Sequence, residues 1–166
     1  MKRLILICAV VTLVGGMVLA QPADQTAQVN VTAVVNGLFR LTLNTAAINY
    51  ALDPGQTDNT QSVVANVRTN QNVAWFLKLH KNHDLTMGAE TIPSANFTYT
   101  GSGGAGGWTD GEFPAVAAVG YTAAASEYKV TGTGLNLTTT YSLTIPDDQT
   151  AGTYTNTITY TLTVTP

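Results

Sequence analysis

The stretch from Thr153 to Thr165 reads TYTNTITYTLTVT. Tyr154, Ile158, Tyr160, Leu162 and Val164 share one parity, and threonine occupies every position of the other. Because a side chain changes face at every strand residue, this alternation predicts a β-strand with one face toward a core and one toward water. The C-terminal stretch is therefore predicted to be a structural strand of an all-β protein.

The rest of the chain repeats this pattern in shorter segments. Alternating runs predict strands over residues 28–35, 38–44, 62–69, 73–81, 97–99, 127–131 and 137–145. Residues 81–94 are predicted to be a loop, Asn70-Gln71-Asn72 a hairpin turn, and residues 116–125 either a strand or a brief helix. Roughly eight to ten short strands without an amphipathic helix predict an Ig-like antiparallel β-sandwich.

One segment also predicts which side chains form the core. Trp75, Leu77 and Leu79 share a face with Val73, whereas Ala74, Phe76, Lys78 and His80 share the other. The tryptophan face is the more apolar, and burying each of its large side chains is worth roughly 1.5–3 kcal/mol. We therefore expect this face, with Val73, Trp75, Leu77 and Leu79, to be buried.

The N-terminus has the pattern of a secretory signal. Lys2 and Arg3 precede an apolar run from Leu4 to Leu19, and Ala20 is followed by the polar Gln21-Pro22. This predicts a signal peptide over residues 1–20, cleaved after Ala20, with an uncleaved membrane anchor as the alternative. Residues 21–27 are predicted to be a flexible lead, and residues 28–166 a single sandwich domain. We expect a secreted protein at the cell surface or cell wall, with no membrane span after cleavage.

The net charge and the cysteine content limit the kinds of partner and the kinds of stabilising bond that we expect. The formal charge of the whole chain is −3, and loss of Lys2 and Arg3 with the signal would make it −5. Such a surface does not attract nucleic acid. The single cysteine, Cys8, lies within the predicted signal. The mature domain is therefore expected to rely on its core, without disulfide bonds.

A glycine-rich segment separates the predicted strands in the middle of the chain. Residues 101–107 read GSGGAGG, and Trp108 and Phe113 follow. Loops of this kind lie on the surface and commonly carry binding residues. The loop 101–113 is therefore a candidate contact site with exposed aromatic side chains, and a carbohydrate platform on Trp108 is an alternative.

Three pieces of the sequence resemble a known family. They are Trp75-Phe76-Leu77, then Ile145-Pro146-Asp147-Asp148 with Ala151-Gly152-Thr153-Tyr154, and finally Tyr160-Thr161-Leu162. Together with the order of signal, strands and closing strand, they resemble the WxL cell-surface domains of Gram-positive bacteria. The resemblance implies non-covalent attachment to peptidoglycan through two Trp-x-Leu motifs. In this chain the second motif has Tyr160 in place of tryptophan.

The residues predict no catalytic, cofactor-binding or metal site. His80 and His83 are three apart, so on a strand they would face opposite sides, and with Asp84 they form a poor zinc site. No serine lies in a Gly-x-Ser-x-Gly turn. Asp110 and Glu112 are neighbours in the glycine-rich loop rather than a spaced pair of catalytic carboxyls. We therefore expect a protein that is not an enzyme and has no cofactor.

Two functional hypotheses follow. In the first, the sandwich binds a cell-wall polymer such as peptidoglycan through Trp75, Leu77, Trp108, Phe113, Tyr160 and Leu162. In the second, the protein is a structural subunit of a surface filament or pilus. Residues 28–35 then leave their own domain and complete the sheet of the next subunit. Expected partners are accordingly the wall polymer, other surface proteins or further copies of this chain.

Overall fold

The structure is a computed structural model that describes residues 25–166. The predicted signal peptide, residues 1–20, lies outside the described residues. The chain divides into two units at Val34 and Val35. The described part of the first unit, residues 25–34, contains no helix or strand, and its side chains are exposed. The second unit, Val35–Pro166, contains two antiparallel sheets that pack against each other, which confirms the predicted β-sandwich.

The larger sheet has six strands. Its order is β1-β3-β11-β7-β9, and β2 pairs with β11 beyond that path. The bounds are Phe39–Leu43 (β1), Thr57–Asp58 (β2), Ser62–Thr69 (β3), Phe97–Ser102 (β7), Gly111–Glu112 (β9) and Val130–Thr144 (β11). All of these pairings are antiparallel.

The smaller sheet has four strands in the order β12-β4-β10-β8. They are Phe76–Lys81 (β4), Gly107–Trp108 (β8), Ala118–Thr122 (β10) and Ile158–Thr163 (β12). A separate hairpin joins Leu85–Met87 (β5) to Glu90–Ile92 (β6), and short 3-10 turns cover Ser94–Asn96 and Ala125–Glu127. Residues 81–94 are therefore partly stranded, where a loop was predicted.

The predicted hairpin around Asn70-Gln71-Asn72 is wrong. Strand β3 belongs to the larger sheet and β4 to the smaller one, so the chain crosses between the sheets here. Asn72 has a φ of 54°, a left-handed conformation that asparagine tolerates and that redirects the chain. A short connection between two strands can form a hairpin within one sheet or a crossover between two sheets. Which of these forms depends on the strands with which β3 and β4 pair elsewhere in the chain.

Other differences concern strand length. The predicted strands 127–131 and 137–145 form one strand, β11, with a register irregularity between Val130 and Leu135 where Gly132 and Gly134 have positive φ. The C-terminal strand covers only Ile158–Thr163 of the predicted 153–165. No strand forms over residues 28–35, and the first strand begins at Phe39. Alternation alone does not make a strand, because its backbone groups also need a partner.

The core lies between the two sheets and consists of two clusters. One is rich in aromatic side chains, with Phe97, Tyr99, Phe113 and Tyr141 in ring contact. The other surrounds Trp75 and Tyr121, whose ring centroids lie 5.7 Å apart. Leu77 and Leu79 are fully buried along with Trp75, as predicted, but Val73 of the same face is 42% exposed and lies before β4 begins at Phe76. None of the helices within residues 25–166 is long and apolar enough to cross a membrane.

Candidate functional site

The Trp75-x-Leu77 motif lies inside the sandwich. Trp75 has no exposed surface, and its indole Nε1 donates a hydrogen bond to the backbone carbonyl of Glu127 at 2.8 Å. Leu77 is also fully buried and lies opposite Leu162 on the neighbouring strand. Neither side chain has surface with which to contact a polymer, and both act as core residues in this structure.

The second motif, Tyr160-x-Leu162, lies beside the first. Strands β4 and β12 are antiparallel neighbours, with Tyr160 opposite Leu79. Tyr160 and Leu162 are half-buried, and the Tyr160 hydroxyl shares a 2.7 Å hydrogen bond with the Tyr141 hydroxyl of the other sheet. Burial raises the pKa of Tyr160 above its ordinary value. The two motifs therefore form one connected part of the sheet.

The aromatic side chains of the glycine-rich loop are less exposed than predicted. Phe113 is only 1% exposed and packs in the aromatic cluster, which corrects the expectation of an exposed loop residue. Trp108 is half-buried, and its ring centroid lies 5.1 Å from that of Tyr121. Its Nε1 donates to the carbonyl of Gly103 at 3.0 Å. This loop therefore folds onto the sandwich through its own aromatic residues.

A buried carboxylate holds this loop in place. Glu127 accepts hydrogen bonds from the backbone N–H of Ala105 (2.5 Å), the Tyr121 hydroxyl (2.5 Å) and the backbone N–H of Ala124 (2.9 Å). Burial alone would raise the pKa of Glu127, but these hydrogen bonds outweigh burial and lower the pKa below its ordinary value. The Tyr121 hydroxyl also accepts from the Gly106 N–H at 2.8 Å.

Sequence reasoning missed this network. Tyr121 lies in the weakly periodic stretch 116–125, and the alternation predicts Glu127 only as the first residue of a strand over 127–131. No local pattern links Glu127 to Ala105, which is 22 residues away. The role of the carboxylate follows from the tertiary fold, which brings the 3-10 turn at Ala125–Glu127 against the glycine-rich loop.

The two histidines lie near an ion pair. Lys81 is mostly buried, and its Nζ lies 2.5 Å from an oxygen of Asp84 and also contacts the Ser94 hydroxyl. His83 uses Nδ1 in a contact with the Asp84 carbonyl. Among residues 25–166, the structure brings no three potential metal ligands together. Asp84 thus contributes to a structural ion pair in which Lys81 is held at the end of β4.

The most exposed large apolar side chains of the described chain lie before the first strand. Val29, Val31, Val34 and Val35 are between 83% and 87% exposed. Val29, Val31 and Val35 share one parity with Ala33, and no residue from 28 to 35 is charged. Such a series of exposed valines is unusual for a segment that pairs with no strand among residues 25–166, because exposed apolar patches commonly mark interaction sites.

The sandwich also has open strand edges and a cavity. Within the described residues, β1 pairs only with β3, and β12 pairs only with β4. The two strands approach each other on the same side of the sandwich. A cavity of about 490 Å³ lies on this side, with Leu43 of β1 and Ile158 of β12 among its walls. Its volume and its position beside two strand edges make it a candidate receptor for another molecule.

No protein-family model matches the chain, and no curated protein is significantly similar to it. The class of protein is accordingly defined by the fold: a two-sheet antiparallel β-sandwich. In the described chain, that sandwich follows an exposed, valine-bearing segment.

Proposed function

We propose that this protein is an exported structural subunit whose segment 28–35 joins the sandwich of another copy as an additional strand. The observation that carries the proposal is the exposure of four valines in a segment that has strand-like alternation and pairs with no strand in the described part of the chain. The predicted signal peptide supports export. The protein then builds an extracellular assembly rather than catalysing a reaction.

Addition to a sheet edge would give residues 28–35 backbone hydrogen bonds and a buried apolar face. An extended chain that pairs with a sheet edge satisfies its backbone hydrogen bonds, and every second side chain enters the apolar interior. In this segment the side chains that would enter are Val29, Val31, Ala33 and Val35. Burying a valine is worth about 1.5–3 kcal/mol, so three valines offset a substantial part of the entropy lost on association.

The experiment compares two variants of the predicted mature chain, residues 21–166, with the unmodified chain. Val31→Asp places a carboxylate on the apolar face of the segment, and the matched control Thr32→Asp places the same charge on the opposite face. Both side chains are exposed in the single copy, so neither change should alter its folding. Association is measured by sedimentation velocity across a range of concentrations.

We expect the unmodified chain and Thr32→Asp to form oligomers or filaments, and Val31→Asp to remain a monomer. Deleting residues 21–36 should give the same monomer. The proposal fails if Val31→Asp assembles as well as the unmodified chain does, or if the unmodified chain stays monomeric at every concentration.

Attachment to the cell wall is a second candidate, supported by one observation. Leu77 of the first motif pairs with Leu162 of the second on adjacent strands, so the two motifs on which the WxL resemblance rests lie side by side. Because Trp75 and Leu77 are buried, their role would be to order the sheet, and an adjacent neutral surface such as the threonines of β12 would contact the polymer.

The test for wall attachment is co-sedimentation of the monomeric Val31→Asp variant with purified peptidoglycan, which removes self-assembly as a cause of pelleting. Pelleting that requires peptidoglycan would support attachment. A variant that stays in the supernatant at all ionic strengths tried would contradict it.

A further inference from the structure

We infer that the cavity on the open side of the sandwich is the acceptor for residues 28–35 of a second copy. This inference rests on the proposed strand addition and assigns the receiving site. The cavity measures about 490 Å³, which is within the range of roughly 300–1,000 Å³ typical of binding pockets. Residues of both sheets line it, including Val63 and Leu143 from the larger sheet and Ile158 from the smaller one.

The walls of the cavity match the chemistry of the valine segment. No charged residue of the described chain lines the cavity. Its apolar walls include Leu43, Ile48 and Leu52. In strand β1, Phe39 and Leu41 are half-buried, but Leu43, on the same face of the strand, is 41% exposed. Residues 28–35 are likewise uncharged, so their apolar face can enter without burying an unpaired charge.

Two polar atoms in the cavity walls favour a peptide over a purely apolar occupant. The Tyr50 hydroxyl and the Asn156 Nδ2 are buried, and neither has a hydrogen-bond partner among the described residues. Buried polar groups are nearly always paired in folded proteins. The backbone of an incoming strand carries both a donor and an acceptor at every residue here, because residues 28–35 contain no proline.

The free edge of β12 sets the length of the site. Ile158 and Tyr160 face the cavity, and β12 has six residues, which extend about 20 Å. The eight residues of the segment extend about 26 Å, long enough to pair along the whole edge. The outer backbone groups of β12 have no strand partner within residues 25–166, so they are available for pairing.

Contacts at Asn70 favour a second copy over the chain's own segment. The Asn70 side chain accepts from the Leu38 N–H at 2.6 Å and donates to the Asn36 carbonyl at 2.9 Å, and its N–H donates to the Leu38 carbonyl at 3.3 Å. A two-residue hairpin at Asn36-Gly37 would need the Leu38 N–H and a positive φ at Gly37. The first is already used, and Gly37 has no positive φ. A two-residue hairpin at Asn36-Gly37 that would pair the chain's own segment with β1 is therefore not formed.

The test places an arginine at the acceptor while leaving the donor segment intact. Leu43→Arg puts a cation at the cavity wall, and Val73→Arg, at a residue with 42% exposure that does not line the cavity, is the matched control. We expect Leu43→Arg to weaken self-association by about 100-fold or more, since a charge would displace apolar contacts. Val73→Arg should associate like the unmodified chain.

A mixture of the Leu43→Arg and Val31→Asp chains tests the acceptor assignment directly. Leu43→Arg retains a functional donor and Val31→Asp retains a functional acceptor, so each should be monomeric alone and the mixture should form 1:1 dimers. Amide hydrogen exchange of the dimer should show new protection at residues 158–163 of the Val31→Asp chain. A mixture that stays monomeric, or a dimer without this protection, would overturn the acceptor assignment.

The outcomes separate the two proposals. If Leu43→Arg assembles normally while Val31→Asp does not, strand addition stands and the cavity is not its acceptor. If the unmodified chain stays monomeric and exchange shows residues 28–35 protected, the segment folds onto its own sandwich. If it stays monomeric and native mass spectra show a bound small molecule, the cavity is a ligand site. Either of the last two results overturns both proposals.

Discussion

At the scale of single residues, position in the fold decides what each aromatic side chain does. Trp75, the residue before β4, lies fully inside the core, and its indole N–H donates to the carbonyl of Glu127 at the end of a 3-10 turn. Phe113, which follows a loop of glycines, packs in the aromatic cluster instead of facing solvent. Large aromatic side chains in such a domain stabilise it chiefly by burial. An aromatic residue in a glycine-rich stretch is therefore no indication of a binding site by itself.

Glu127 makes the stability of this protein depend on pH. Because the pKa of Glu127 is lower in the folded chain than in the unfolded chain, the carboxylate stabilises the fold above the unfolded-state pKa of about 4.3. That stabilisation is lost as the pH falls below this value through the folded pKa. We expect Glu127→Gln to unfold at a lower temperature than the unmodified chain at pH 7. On acidification, its melting temperature should fall by less than that of the unmodified chain.

Thermal unfolding followed by circular dichroism from pH 7 to pH 3 checks this prediction. Glu90→Gln changes an exposed side chain and is the control, with the pH dependence expected to match that of the unmodified chain. Equal pH dependence in Glu127→Gln and the unmodified chain would show that the Glu127 network does not stabilise the fold.

At the scale of elements, the glycine-rich segment is part of the packed structure. Its glycines allow the chain to pass closely over neighbouring groups: a Cβ on Gly101 would collide with the Trp108 ring, and one on Gly106 with the Thr122 carbonyl. Gly104 adopts a φ of 75°, which a residue with a side chain rarely takes. The segment is thus rich in glycine because space is short, and not because it is a free loop.

Replacement of two adjacent glycines tests this reading. We expect Gly106→Ala to destabilise the fold by about 1–3 kcal/mol, as overpacking in a filled site commonly does. Gly107→Ala should have a much smaller effect, because a Cβ there meets nothing within 4 Å. Urea unfolding followed by tryptophan fluorescence measures both. A similar loss of stability in the two variants would contradict a packing role for Gly106.

At the scale of the whole molecule, a donor segment and an acceptor cavity on the same chain would define an open-ended assembly. The donor residues 28–35 precede β1, whereas the acceptor lies between Leu43 of β1 and Ile158 of β12. Different surfaces therefore meet in each contact. Contacts of this heterologous kind produce filaments when the rotation between copies does not close a ring. An arrangement of this kind would support the proposed assembly.

A peptide that fills the acceptor should stabilise the whole sandwich. We expect a synthetic peptide of residues 25–36 to raise the melting temperature of the Val31→Asp chain, whose own donor is disabled. At a peptide concentration of 100 times the Kd, binding adds about 2.7 kcal/mol to the free energy of unfolding. This corresponds to a rise in melting temperature of about 5–10 °C for a domain of this size.

The control is the same peptide with Val31→Asp, which should leave the melting temperature unchanged. Differential scanning calorimetry across a series of peptide concentrations provides the measurement. Equal effects of the two peptides would show that the valine face is not what the sandwich recognises.

Sequence alternation by itself determined much of this protein. It predicted strand β3 with its observed bounds, the location of β1 and β7, the burial of Trp75, Leu77 and Leu79, and the sandwich class. These features follow from periodicity two, since a residue's face depends only on its neighbours along the strand. Only the tertiary structure decided which strands pair, that Phe113 is buried, that Glu127 holds the glycine-rich segment, and that a cavity lies beside β12. Each of these depends on contacts between residues far apart in the chain, which local patterns do not encode.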